Sequence, residues 1–185
     1  MASTSAKDLG IEPGAWNLDP AHSSVEFTVR HLMVSKVRGH FEKFTANITI
    51  DEDVTKSSVT ASIEANSITT RDEARDNHLK SADFFESDKY PTIDFASTAI
   101  RPNGDDWKLI GNLTIRGITK PIELDLEFNG TQADPYGGVR TGFSATGELS
   151  RKDFGIEWNA AVDGGGVVVG DKVTITLEIE LAKAQ

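Results

Sequence analysis

Cysteine is absent from the chain. That excludes disulfides, thiolate zinc sites, iron–sulfur clusters and a cysteine nucleophile together. Long apolar runs are absent as well. At most three residues of the hydrophobic set run together, as at Val167–Val169, whereas a spanning helix needs about 20. Met1–Gly10 holds no apolar stretch of the secretory kind, so the expected compartment is the cytoplasm and no membrane-spanning segment is expected. Positive charge is scarce: 19 Lys plus Arg stand against 29 Asp plus Glu, a formal net charge of −10. A surface that acidic repels phosphate backbones and anionic headgroups, so nucleic acid is not an expected partner. What remains is a chain of 185 residues, 38% apolar and 26% charged. It is long enough for one domain with a full core.

The pattern present throughout is strict alternation, the mark of strands with one wet face. Val25, Phe27 and Val29 alternate with polar neighbours, as do Ala46, Ile48 and Ile50, and Val59, Ala61, Ile63 and Ala65. Further rows are Ile93 and Phe95; Trp107, Leu109, Leu113 and Ile115; Ile122, Leu124, Leu126 and Phe128; Val139, Phe143, Ala145 and Leu149; and Val173, Ile175, Leu177, Ile179 and Leu181. About eight such strands predict an all-β fold with antiparallel pairing, as a sandwich or a closed barrel. The apolar parity slips between Phe41 and Phe44, which predicts a bulge or sharp bend. Turn-rich connections fall at Asn103–Asp106, Arg116–Thr119 and Asp134–Gly138. Thr70-Arg-Asp-Glu73 reads as a capping box and predicts a short helix over about 71–80. His31–Val34 reads as a second, single-turn helix, and residues 1–12 as a flexible tail before one domain over 13–185.

Several clusters invite chemistry. Asp19, His22 and Ser23 suggest a triad, but a serine at the start of a strand points away from its neighbour, and no nucleophile elbow surrounds it. Asp19 and His22 bonding to nearby backbone is the plainer reading. His22, His31, His40 and His78 share no metal-ligand spacing, so no metal is expected. Gly164–Gly166 leads into a strand and not a helix, which makes it a rim loop and not a phosphate cradle. Arg151-Lys-Asp153 suits either a polar ligand group or a local ion pair at a turn. Inward small residues (Ala46, Ala61, Ala65, Ala145, Gly39, Gly111 and Gly147) leave volume inside a barrel of this size, which tilts the reading toward an apolar guest.

Five ordered segments then carry a resemblance. They are Trp16–His31 (WNLDPAHSSVEFTVRH), Val37–Phe41 (VRGHF), Thr70–Pro91 (TRDEARDNHLKSADFFESDKYP), Gly111–Pro121 (GNLTIRGITKP) and Ser150–Gly155 (SRKDFG). The chain resembles the YceI-like family of polyisoprenoid-binding proteins with a lipocalin-like barrel. The resemblance implies an extended eight-stranded antiparallel barrel whose pore stores or transports a long-chain isoprenoid, a quinone-type lipid or a similar long-tailed amphiphile. Carried onto the apolar rows, it implies a pore lined by Phe27, Val29, Leu32, Met33, Phe41, Ile48, Phe84, Phe85, Phe95, Leu113, Phe143, Phe154, Trp158, Ile175 and Leu177. It implies no catalytic residue and no cofactor, so an enzyme is not expected, and it allows a homodimer. Two alternatives stay open. One is an enzyme on such a lipid using His22, His31 or Asp153. The other is a stress-related interaction protein with a filled barrel.

Overall fold

The computed structural model describes residues 3–185. Its strands are β1 Gly14–Leu18, β2 Ser24–His31, β3 Ser35–Phe41, β4 Phe44–Ile50, β5 Ser58–Glu64, β6 Ile68–Thr69, β7 Thr92–Asn103, β8 Asp106–Ile115, β9 Ile118–Ala133, β10 Val139–Ser150 and β11 Val169–Lys183. One α-helix, α1, spans Glu73–Lys80. All pairings are antiparallel, and β1 pairs with both β4 and β11, which closes the sheet on itself.

The eleven strands make eight staves, because three staves are broken in two. A single helical turn at Pro20–His22 separates β1 from β2, and both halves lie along β11. Glu42 and Lys43 separate β3, which pairs with β2, from β4, which pairs with β1. This is the predicted bend between Phe41 and Phe44, and it redirects one stave rather than inserting a residue into it. Ala65–Ser67 separates β5 from β6 in the same manner. Register shifts near Gly142 and between Ser97 and Ala99 add curvature, as barrel closure requires. The three turn-rich connections fall between β7 and β8, β8 and β9, and β9 and β10 as expected.

Two local expectations fail. No capping box forms: Asp72 is the N-cap and accepts from Arg75 N, while Thr70 bonds Asp76 through both its N–H and its hydroxyl at 2.8 and 2.6 Å. Arg71 sits at φ 64°, so the chain cannot enter the helix directly from Thr70. His31–Val34 is not helical. It is the tip of the β2–β3 hairpin, closed by Val34 N donating to His31 O at 3.1 Å.

The expected tail is packed from Ser3 onward, and Met1 and Ala2 lie outside the described residues. Ala6 N donates to Glu52 O at 2.9 Å and Val54 N to Thr4 O at 2.8 Å. Ala6 and Ile11 are 0% and 3% exposed and join a cluster with Trp16, Ile50, Val54, Trp107 and Leu181. The segment therefore covers one end of the barrel. Leu9 and Ile11 alternate, but a row of two was too short to read as structure. We expect Ile11→Ala to lower stability by about 2–5 kcal/mol in urea unfolding, because the side chain fills a buried site. A loss near zero would mean that this end is not sealed by packing.

Candidate functional site

The inward rows of the staves do not meet at the centre. They enclose a cavity of about 490 Å³ whose wall is apolar on nearly every side. That is within the range of small-molecule sites. All the expected pore residues border it except Leu32 and Met33, which stand 40% and 52% exposed at the hairpin tip. These two departed from the expectation because the chain turns there, and strand parity no longer says which way a side chain points. Ala46, Ala61 and Ala145 border the cavity, as small inward residues should. Ala65 does not; it lies in the turn before β6 and is 1% exposed.

The inward glycines act differently from the expectation. A Cβ on Gly39 would meet Phe27 Cζ at 2.3 Å, one on Gly111 would meet Phe95 Cζ at 2.4 Å, and one on Gly147 would meet Leu124 Cδ2 at 2.5 Å. Each glycine is thus a seat for a larger side chain, not a source of volume. The seating lets Phe27 and Phe95 lie flat against the wall and keeps the bore open. At Gly111 the Cβ would also meet Ala96 O at 2.6 Å, which is backbone and cannot swing aside.

The two ends differ. Leu9, Ile11 and Val54 border one end. At the other stand His31, Val168, Trp158, and Arg75, His78 and Leu79 of α1. Here the aromatic rings form a collar. His78 meets Phe84 edge-on at 5.0 Å and Trp158 edge-on at 4.8 Å, and Phe85 meets Phe41 at 5.9 Å. His78 Nε2 is 2.8 Å from Asp83, which fixes the ring plane. Arg75 donates to the hydroxyl and carbonyl of Thr70 at 2.7 and 2.8 Å and so ties α1 to the wall. At the far end of the bore's wall, Trp107 is 5% exposed and its Nε1 has no partner among the described residues.

Arg151 answers the question left open for Arg151-Lys-Asp153. It is 4% exposed and donates to the carbonyls of Gly170, Ile156, Trp158 and Val169 at 2.8, 3.0, 2.8 and 3.3 Å. Burial pulls its pKa below the usual guanidinium value. It clamps the segment 156–170 beside the open end and so places Trp158 in the collar. Lys152 pairs with Asp171 at 3.4 Å, and Asp153 is exposed and does not border the bore. The Gly164–Gly166 run forms a turn on this segment, closed by Gly165 N donating to Val162 O at 3.1 Å.

The histidines do not converge. His22 is 2.8 Å from Asp19, His40 is 3.9 Å from Glu42, and His78 bonds Asp83. Among the described residues, Asp19, His22 and Glu180 form the one group whose ligand atoms lie close enough for a cation. A cation is already there: Arg140 Nη1 stands 2.7 Å from Asp19 and 3.4 Å from Glu180. Arg140 also reaches Asp134 at 3.0 Å, which joins the β9–β10 turn to β11 and the β1–β2 break. Ser23 Oγ accepts from Glu180 N at 3.0 Å and makes no bond to His22, so no triad is assembled. Of His22, His31 and Asp153, only His31 borders the bore.

A closed antiparallel barrel with an apolar bore, sealed at one end and collared by aromatics at the other, is a lipocalin-like architecture. The chain belongs to the YceI-like domain family, whose sequence profile matches residues 16–181. It is 42% identical over 169 residues to a UPF0312 protein of Staphylococcus aureus strain N315, an alignment covering 90% of this chain and 96% of the relative. Among solved structures it superposes on the YCEI protein of Campylobacter jejuni with a TM-score of 0.73 at 30% identity, over 84% of this chain and 90% of that one. It shares its fold with BcnA of Burkholderia cenocepacia (TM-score 0.77, 23% identity, 89% and 99% covered). It also shares it with a polyisoprenoid binding domain from Saccharophagus degradans (TM-score 0.67, 14% identity, 94% and 100% covered).

Two outcomes test this account. Gly111→Ala forces Phe95 and the β7 backbone apart, and we expect about 1–3 kcal/mol of lost stability in urea unfolding. An unchanged midpoint would show that the ring is free to leave its seat. The Asp19–His22 pair sets a pH dependence. The His22 hydrogen bond, with Arg140 and Ala21 N assisting, lowers Asp19 from 3.8 to about 2. Asp19 in turn, chiefly through that bond, raises His22 above 6.5. The Asp19 contribution is present above pH 3.8 and fades as pH falls toward 2. The His22 contribution is complete below pH 6.5 and fades as pH rises through its raised pKa. NMR titration should find the His22 pKa raised and should find it lowered in Asp19→Asn; no change on substitution would sink the pairing.

Proposed function

We propose that the bore holds the hydrocarbon tail of a long-chain isoprenoid, a quinone-type lipid or a similar long-tailed amphiphile, and that the protein stores or carries it as a binding protein. The observation that carries this reading is the apolar cavity of about 490 Å³, which has no apolar side chain of its own to fill it. Membership of the YceI-like family and the fold shared with a polyisoprenoid binding domain support the same reading. An apolar void without polar partners holds no water, so a greasy guest meets little competition.

The energetics suit a prenyl tail. Each buried methylene contributes about 0.8 kcal/mol, so one five-carbon unit contributes roughly 3–4 kcal/mol at most. Ordering of the tail offsets much of this, and two or three well-buried units suffice for tight holding. The sealed end accepts the tip of the tail, and the headgroup stays at the collar, where Arg75, His78 and His31 supply polar atoms. Helix α1 with Phe84 and Phe85 acts as the gate. No side chain of α1 is buried; it is tied to Thr70 through Arg75 and Asp76 and packs on the cluster around the collar through Leu79 and the contacts of His78 with Phe84 and Trp158, so its opening loosens the collar and leaves the cluster at the sealed end intact. The filled-barrel alternative loses support from the cavity itself. The enzyme alternative loses support from the scattering of His22, His31 and Asp153.

Native mass spectrometry of protein purified from cells tests the reading and counts subunits in the same measurement. The expected result is an added mass that organic extraction removes and that prenyl alcohols restore. Ala61→Trp, which projects an indole into the bore, is expected to cut uptake at least about tenfold, since it removes room for one or more buried units. An empty wild-type barrel that takes up no added prenyl lipid, or undiminished uptake by the variant, overturns the proposal.

A further inference from the structure

The tip of the β2–β3 hairpin is built against the usual chemistry of tight turns. Leu32 and Met33 occupy its two central positions at φ 51° and 59°. Positive φ at both centres belongs to the primed turns that suit Asn-Gly, and side chains with a large Cβ substituent fit it poorly. The two side chains also give nothing back to the fold. Neither joins an apolar cluster or borders the bore. Leu32, Met33, Val34 and Val167 are 40%, 52%, 82% and 39% exposed. Leu32 N donates to Val168 O at 2.8 Å, which sets the Val167 segment against the tip. Strain and exposure fall together on one apolar knob, beside the collared end of the bore. Such outliers point to a role outside the fold.

The charge beneath the knob has the opposite sign to the rest of the molecule. Arg30 stands across from Lys36, and Thr28 across from Arg38, in the β2–β3 register. Lys172 on β11 shares the same outward face, since Val173 pairs with inward Val29. These four cations line one shallow groove whose single carboxylate is Glu148, paired to Lys172 at 3.5 Å. No ion pair to Arg30, Lys36 or Arg38 is present among the described residues. A chain of net charge −10 has therefore kept three uncompensated cations on one face, directly under its exposed apolar tip. At physiological salt, charges more than about 8 Å away are largely screened, so this face acts by its local sign.

We propose that the β2–β3 tip docks on an anionic lipid bilayer. Leu32, Met33 and Val34 enter the headgroup layer, while Arg30, Lys36 and Arg38 lie against the lipid phosphates. An apolar wedge ringed by cations matches the layering of such a surface, and each basic side chain near it adds to the attraction. The position beside the collar lets a tail pass between bilayer and bore with little exposure to water. That last consequence rests on the proposed function, but the docking does not.

The test is co-sedimentation with vesicles of phosphatidylcholine alone and of phosphatidylcholine mixed in equal parts with phosphatidylglycerol. The wild type is expected to bind the mixed vesicles at low salt, to release as salt rises, and to ignore phosphatidylcholine alone. Leu32→Asn/Met33→Gly is expected to lose binding while melting at the same temperature or higher, because the turn then carries the residues it favours. Lys36→Glu/Arg38→Glu is expected to weaken partitioning about tenfold or more. Equal binding by wild type and either variant overturns the docking, as does binding that is indifferent to phosphatidylglycerol. So does a self-association, seen in analytical ultracentrifugation, that needs Leu32 and Met33 while vesicles are ignored. Uptake of farnesol without vesicles reads the bore alone. A barrel that takes up farnesol and ignores vesicles overturns the docking and leaves the bore's role intact, and the reverse result does the opposite.

Discussion

Closure of the sheet is the constraint on which the other features depend. Trp16, Asn17 and Leu18 of β1 pair with Lys183, Ala182 and Leu181 of β11, so the first stave meets the last and no hydrogen-bonding edge is left along that seam. The seam is well held: Trp16 is 2% exposed, its indole N–H donates to Glu12 O at 3.0 Å, and Leu181 beneath it is 1% exposed. An open sheet with the same rows would have to fold its apolar face onto a second layer, as a sandwich does. A closed one faces only itself. The bore is thus a direct result of the β1–β11 pairing.

Keeping that bore open requires large side chains to lie along the wall. The structure does so with glycine seats: Phe27 over Gly39, Phe95 over Gly111, Leu124 over Gly147. Covering a strand glycine with a cross-strand aromatic also repairs the weak spot that a missing side chain leaves in a sheet. The aromatic rings that reach across the opening (Phe84, Phe85, Trp158 and His78) are held from outside, by Arg151, Thr70 and Asp83. Polar clasps lie around the bore and apolar surface lies within it, so the fold is stabilised without filling its own cavity.

The same division organises the exterior. Acidic groups are distributed widely, and some pair with nearby cations, as Asp19, Asp134 and Glu180 do with Arg140 at the sealed side. Around the β2–β3 hairpin Arg30, Lys36 and Arg38 have no ion pair among the described residues, and the turn residues are large and apolar. A fold optimised only for stability would reverse both choices there.

The amphipathic rows were legible in the sequence because strand periodicity is local: Phe27, Ile48, Phe95, Leu113, Phe143, Ile175 and Leu177 all border the cavity that their parity implied. The motifs from Trp16 to Gly155 carried the family for the same reason, since they are contiguous in the chain. Where the chain turns, periodicity has no meaning. Leu32 and Met33 left the bore, Thr70 gave up its cap to Asp72, and Leu9 and Ile11 came in from a segment with almost no pattern. Long-range choices had no local signature at all: the closure of β1 on β11, the seating of rings on glycines, the gathering of Arg30, Lys36, Arg38 and Lys172, and the occupation of the Asp19–His22–Glu180 group by Arg140. The alternation of side chains fixed which face of each ribbon is greasy. Only the three-dimensional pairing of ribbons distant in the chain decided that those faces surround an open bore, because whether two apolar walls touch depends on the curvature of the whole sheet and not on any single strand.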